Sequence, residues 1–326
     1  MVYHRDWGLG RRYVAESGLS ISHSELRTWA LCRRRWWLSY FRLQQPKNDS
    51  PVGVVHIGSA IHLALEGYHG YNLDPLAVVR WSYQDIISQR PEFERDLLKD
   101  QDMALAIVEG YVSWIEENGT YSDLEVLATE HELKVPVTLA DGTTVTFRAK
   151  LDQLVRRVSD GRRQTVDFKS VGTLAKANTL TLDTQMRFYT LLLALSEADP
   201  AKRADGALYI MLKRSKRTER AKGPFYEVAS ISYNKNDLNN TWLRSRAIAG
   251  EIIAARDTLN AGADHHSVVW QNPTDFCSWG CQYAKICPMF DDGSRVEDML
   301  KAEYETTMPY LYYEGNRIQQ AVIALS

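Results

Sequence analysis

The sequence predicts an α/β core with a helical elaboration made from both ends of the chain. Three observations carry this. Apolar residues recur at helical spacing up to about residue 118. From 124 to 169 the pattern turns to alternation, punctuated by two glycine turns, Asp141-Gly142 and Ser159-Asp160-Gly161. Helical spacing then returns, interrupted by two more short alternating runs.

Each element follows in order. Ser22-His23-Ser24-Glu25 fits a capping box and opens an aromatic-rich helix through about Phe41. Residues 44–55 hold two prolines with Asn48, Asp49 and Gly53, and read as a loop. Helices are expected at about 58–68, 75–89 and 94–118, the last with Met103, Ile107, Tyr111 and Trp114 on one face. Strands at 124–139 and 143–158 flank Asp141-Gly142, a strong hairpin signal. A short strand at 164–169, a helix at 181–197, and strands at 207–212 and 225–233 follow. A helix over about 236–260, a cysteine-rich segment and further helical residues complete the chain. The expected organisation is one domain over 1–326, with an N-terminal helical part (20–120), a catalytic sheet core (121–235) and a C-terminal helical part (236–326).

Composition narrows the function. Nine Trp and seventeen Tyr supply ample core material. No apolar stretch is long enough to span a bilayer, and Met1–Arg12 is charged and aromatic where a signal peptide needs an apolar run. A soluble, cytoplasmic protein without a membrane partner is expected. The net charge of −2 argues against a protein that coats DNA. It does not argue against an enzyme whose carboxylates are offset by a bound cation and whose DNA contacts are local. Two basic patches qualify: Arg33-Arg34-Arg35, and the ten residues Lys213–Lys222, six of which are Lys or Arg, including Lys213, Arg214, Lys216 and Arg217. A solvated face is an equal alternative for each patch.

Asp167-Phe168-Lys169 ends a strand, and alternation puts Asp167 and Lys169 on one face with Phe168 on the other. With the turns as rulers, residue 152 falls opposite 169 and residue 130 opposite 153, within a residue or two. Glu130, Asp152 and the Asp167/Lys169 pair then form a row across three strands. Three acids beside one lysine are unfavourable unless a cation binds there. Mg²⁺ or Mn²⁺ suits such oxygen ligands, and phosphodiester hydrolysis needs an activated water and relief of charge on the leaving oxygen. The lysine can hold or deprotonate the water, or stabilise the transition state. His62 opens a helix as Gly58-Ser59-Ala60-Ile61-His62, with Glu66 on the same face. Gln185 and Tyr189 share a face of the helix after the Asp-x-Lys strand.

This ordered set, Gly58…His62, Asp152, Asp167-Phe168-Lys169 and Gln185…Tyr189, resembles the signature of RecB-like nucleases in the PD-(D/E)XK superfamily. The resemblance implies a restriction-endonuclease-like core, a mixed central sheet flanked by helices. It implies metal ligation by His62, Asp152, Asp167 and the Phe168 carbonyl, catalysis by Lys169, and a site shaped by Gln185 and Tyr189. Glu130 as a further ligand comes from the turn arithmetic alone. Ala149 replaces a Gly frequent in the family three residues before the strand Asp, a change that removes no ligand.

The four cysteines divide as Cys32 alone and Cys277, Cys281 and Cys287, with Pro288 after the last. Buried thiols, disulfides and zinc are the plainer alternatives. A cytosolic chain disfavours disulfides, and zinc favours paired knuckles. A one-plus-three split that uses every cysteine suits a [4Fe–4S] cluster. The split also resembles the iron–sulfur branch of RecB-like nucleases, which includes AddB-type domains and CRISPR-associated adaptation nucleases. Their pattern reads here as Ser22-His23-Ser24-Glu25-Leu26…Cys32, then Cys277, Cys281 and Cys287-Pro288. Arg33 stands where the family often has Pro after the first cysteine.

The leading expectation is a metal-dependent DNA exonuclease acting at single-stranded or frayed ends in recombination, replication or repair, in a phage or mobile-element setting. The alternative is a DNA-binding or assembly module, such as a CRISPR spacer-adaptation partner, in which cleavage is secondary. Recombinase, replication or CRISPR proteins are the partners these settings imply.

Overall fold

A computed structural model describes residues 19–47, 50–174, 177–218, 220–310 and 317–325. The reading of Met1–Arg12 lies outside them. β1 (Ser20–Ser22) leads into α1 (His23–Leu31). A short helical turn (Arg33–Trp36), a π-helical turn (Trp37–Phe41) and β2 (Gln44–Pro46) come next. Then follow α2 (Val54–Tyr71), α3 (Pro75–Gln89), α4 (Glu94–Asn118), β3 (Leu124–Thr138), β4 (Thr144–Arg157) and β5 (Arg163–Val171). α5 (Thr184–Ser196) joins β5 to β6 (Gly206–Lys213), and β7 (Tyr226–Ser232) returns beside it. α6 (Lys235–Asn260), α7 (Val296–Glu303), β8 (Tyr304–Thr306) and α8 (Arg317–Leu325) complete the order.

The main sheet runs β1-β4-β5-β6-β7, with β3 also paired to β4. β1 is parallel to β4, β5 to β6; β4–β5 and β6–β7 are antiparallel. The fold is therefore a mixed sheet flanked by helices, and β5–α5–β6 is its parallel crossover. No helix among the described residues is long and apolar enough to cross a membrane.

The structure departs from the sequence reading at several points. The aromatic-rich helix is broken at Cys32, whose backbone is extended (φ −160°, ψ 116°) between two helical segments. The stretch expected as a loop holds β2, which pairs with β8, and α2 starts earlier, at Val54. The helix expected at 181–197 is shorter, because Asp183 caps it by accepting from the Gln185 N–H at 2.7 Å. The strand register also shifts. Arg157 N–H donates to Arg162 O at 2.9 Å, so four residues form the loop and Gly161 (φ +72°) sits at its end rather than its centre. Gln153 consequently faces Val166, and one step further Asp152 faces Asp167, not Lys169.

The chain divides into two compact units, each assembled from three separated segments. One comprises the described parts of Met1–Asn48, Lys134–Ala149 and Trp242–Glu314. Ser22 caps α1 by accepting from Glu25 N–H at 3.3 Å. The Glu25 side chain does not close the expected capping box. It is fully buried, and accepts from Trp36 Nε1 at 2.8 Å, Arg256 Nη2 at 2.8 Å and the Tyr310 hydroxyl. A buried carboxylate persists here because three donors replace water.

The other unit comprises the described parts of Asp49–Leu133, Lys150–Thr241 and Gly315–Ser326. Its core joins Ile61, Ala64, Val79 and Ile107 of the helices to Val155, Val166, Phe168 and Ile210 of the sheet, with Ile318 of α8. Asp74 caps α3 ahead of Pro75, and Asn72 ends α2 in the left-handed region (φ 54°). These caps fix where α2 ends and α3 begins, and α2 carries His62.

Candidate active site

All the carboxylates of the expected row lie in the second unit. Alternation along β5 is as read from the sequence: Phe168 enters the core while Asp167 and Lys169 share the other face. His62, Glu130 and Asp152 offer three ligand atoms within 4.8 Å of one another. His62 Nδ1 stands 3.4 Å from Asp152 Oδ2. The same Asp152 oxygen accepts the Phe168 N–H at 2.8 Å, which fixes the carboxylate against β5. Glu130 reaches the group through a left-handed backbone (φ +46°) in mid-strand, a conformation unfavourable for a non-glycine residue by about 1–3 kcal/mol. Such strain kinks the strand and redirects one side chain.

Asp167 is 5% exposed. Burial pushes its carboxyl up, and the Lys169 ammonium pulls it back. Lys169 Nζ donates to Asp167 Oδ1 at 3.0 Å and lies 2.9 Å from Oδ2, which has no aligned donor. Burial acts to lower the lysine, but the Asp167 charge and hydrogen bond, together with the Asp152 and Asp183 charges, hold Lys169 above its ordinary value. Its Nζ also donates to Gln185 Oε1 at 3.5 Å, and Gln185 Nε2 donates to the Tyr189 hydroxyl at 3.0 Å. The i, i+4 pair on α5 thus steers the lysine.

Lys150 was missed by sequence reasoning. Its Nζ lies 2.8 Å from Glu130 Oε2. Alternation from Asp152 puts it on the same face, but the sequence offers no sign that this lysine turns to the acids. Burial, then Glu130, raises Glu66 to about 7. Burial, then Asp152, also raises Glu130. One imidazole among several oxygen donors, with a buried carboxylate oxygen lacking a donor, fits Mg²⁺ or Mn²⁺.

The family model of the PD-(D/E)XK nuclease superfamily matches residues 20–288, most of the chain. The chain belongs to the PD-(D/E)XK nuclease superfamily. Nucleases of this superfamily act on DNA with divalent metals. A search of curated proteins returned no match. Among solved structures, a putative exonuclease from Eubacterium rectale is similar at 10% identity and a TM-score of 0.47, covering 86% of this chain and 98% of that one. LHK-Exo in complex with dAMP is similar at 15% identity and a TM-score of 0.26, covering 62% and 90%.

The nuclease carries a second feature in its other unit. A cavity of about 540 Å³ is lined by Cys32, Cys277, Cys281 and Cys287 together. The helix break at Cys32 is what allows its backbone to leave the helical path there. Asn272 N–H donates to Cys32 Sγ at 3.4 Å, and Thr274 N–H to Cys277 Sγ at 3.5 Å. Burial pushes the Cys287 thiol up to about 11 and raises Cys281.

The basic residues divide. Arg34 is 1% exposed, donating to Val269 O at 3.0 Å and to Asp291 at 3.2 Å. A side chain so withdrawn does not reach a phosphate, and the expectation that Arg34 binds DNA is corrected. Arg33 packs over Trp270 and pairs with Glu251; Arg35 lies over Phe276 beside the cysteine cavity. In the loop after β6, Arg214 donates to Ser170 O, Lys216 pairs with Asp102, and Arg217 donates to Gly110 O at 2.9 Å. Lys213 lies 5.9 Å from the Phe225 ring. A further grouping, Asp264, His265 and His266, has Arg34 and Arg42 beside it, which oppose a cation there.

Proposed function

We propose that the nuclease is a divalent-metal-dependent deoxyribonuclease that hydrolyses DNA at single-stranded or frayed ends, an exonuclease in mode. The carrying observation is the convergence of His62, Glu130 and Asp152 within 4.8 Å beside the Asp167–Lys169–Gln185 chain. His62, Asp152, Asp167, Glu130 and the Phe168 carbonyl would hold Mg²⁺ or Mn²⁺, which would supply Lewis acidity at the phosphate. The protein's own groups do the rest. The Phe168 N–H orients Asp152. The Lys169 ammonium, paired with Asp167, would offset the negative charge that builds on the phosphoryl oxygens. Gln185 and Tyr189 aim that ammonium. Lys213, Arg214, Lys216, Arg217, Arg33 and Arg35 are the candidates for phosphate contact. Such an enzyme serves recombination, replication or repair, in the cytoplasm.

The four cysteines suit a [4Fe–4S] cluster: one cavity, four sulfurs, and two backbone N–H groups that donate to sulfur. In this role the cluster ties α1 to the segment carrying Cys277.

End-labelled single- and double-stranded DNA with Mg²⁺, Mn²⁺ or EDTA tests the activity. Lys169→Ala and Asp152→Ala are expected to abolish most cleavage and leave the fold intact. Wild-type cleavage by Lys169→Ala overturns the assignment. Anaerobically purified protein is expected to hold about four irons and four sulfides per chain. A colourless, zinc-bearing protein overturns the cluster.

A further inference from the structure

Within the catalytic unit an open cleft of about 450 Å³ lies away from the carboxylates. Tyr68, His69 and Tyr121 line it with Leu124, Val126 and Glu116. The rings are set close: Tyr68 to His69 at 4.9 Å, His69 to Tyr121 at 4.7 Å. All three are partly solvent-exposed. We propose that this cleft seats a nucleobase of the strand being cut, a subsite that sets which phosphate reaches the carboxylates. The inference rests on the nuclease reading above and extends it to substrate positioning.

Three observations bear on the occupant. First, the cleft is continuous with the site's framework. His69 lies two helical turns beyond His62 on α2, hence on the same face and about 10 Å along the axis. At the spacing of a stacked strand, 3.4 Å per nucleotide, that is roughly three nucleotides. Second, its wall shares groups with the catalytic strands. The Tyr121 hydroxyl donates to Gln153, the neighbour of Asp152, at 2.8 Å. The His69 ring stacks at 6.0 Å on Phe168, whose N–H holds Asp152. Third, the chemistry is that of a stacking platform. His69 Nε2 is paired with the Tyr111 hydroxyl at 2.9 Å, which fixes the ring in the cleft wall. The aromatic rings with Leu124 and Val126 suit any base face, and the Tyr68 and Ser122 hydroxyls in the same lining can donate to the backbone of the strand that carries it. Exposed Glu116 at the rim repels the backbone and accepts from a base amino group.

The test uses wild-type protein and oligonucleotides carrying one abasic residue, walked across five positions on each side of the cleaved bond. Binding is read by fluorescence anisotropy without divalent metal, and KM and kcat with Mg²⁺. One position about three nucleotides from the bond is expected to show a KM raised roughly 5- to 100-fold, the range of base–aromatic stacking, with kcat little changed. Tyr68→Ala and Tyr121→Leu are expected to raise KM on the intact strand and to remove the abasic effect, since base and ring are then lost together. If the abasic effect persists undiminished in both variants, or if no position differs from the others while the intact strand is cut normally, the base subsite is overturned and the nuclease reading stands. If wild-type protein neither binds nor cuts any strand, both fall.

Discussion

Lys150 is the most informative single residue outside the expected set. Its ammonium sits on Glu130, the carboxylate whose oxygen also lies with the ligand atoms of His62 and Asp152. It occupies the electrostatic place of a cation, so an incoming metal competes with it. Lys150→Met is therefore expected to raise Mn²⁺ affinity about tenfold, ~1.4 kcal/mol, by isothermal titration without DNA. A fall in affinity would show instead that Lys150 serves to hold Glu130 in place. His69 makes a prediction in pH. Burial lowers its folded value to about 4, against 6.5 for an imidazole in water. The unfolded chain thus binds the extra proton first. The stability from neutral His69 is complete above pH 6.5 and is lost as pH falls toward 4, by up to ~3 kcal/mol. Denaturant melts from pH 7 to 4 should show a shallower loss in His69→Gln than in wild type.

At the scale of elements, the loop between β6 and β7 is docked on α4. Arg217 donates to Gly110 O, and the Tyr226 hydroxyl donates to Ile107 O at 2.8 Å. Gly110 permits this approach, because a Cβ there would lie 2.4 Å from the Tyr226 hydroxyl and 2.9 Å from Arg217 Nε. Gly110→Ala is expected to lower stability by ~1–3 kcal/mol and to expose the Arg217 segment to trypsin. Unchanged melting and digestion would remove α4 as the anchor of that loop. This docking was not legible in the sequence, where the loop reads only as a charge run. The strands were legible, because Asp141-Gly142 and Asp160-Gly161 mark their turns within a residue. What escaped was the loop length: both glycines end their loops rather than centre them, which moves the register. Glu130 belonged to the row by arithmetic, but its approach depends on a left-handed residue that no pattern announces. Arg34 was misread because a triple arginine does not reveal which member turns inward. Spacing four put Gln185 and Tyr189 on one face, since an α-helix has one geometry, and they are hydrogen-bonded to each other; their place beside the lysine came from the family resemblance and not from the spacing.

At the scale of the molecule, the catalytic unit takes its last core residues from the end of the chain. Ile318 and Ala321 of α8 join the cluster built by α2, α3 and α4. Ile318 Cδ1 lies 3.5 Å from where a Cβ on Gly67 would stand, so α8 seats closely on α2. Ile318→Ala is expected to lose about 2–4 kcal/mol and to lower the melting midpoint by roughly 5–10 °C. Differential scanning calorimetry reads this directly, and an unmoved midpoint would mean α8 is not part of the cooperative core.

The interleaving of three segments in each unit also has a consequence for biosynthesis. A ribosome delivers His62, Glu130, Asp152 and Lys169 long before it delivers α8, and Cys32 long before Cys277. One unit lacks its third segment until Trp242–Glu314 has been made, and the other until Gly315–Ser326 has. A nascent copy that has not yet reached α8 carries the candidate site residues without the last core residues of their unit. On the proposed reading, cutting competence therefore arrives only after α8 has been made, later than every one of the candidate ligands.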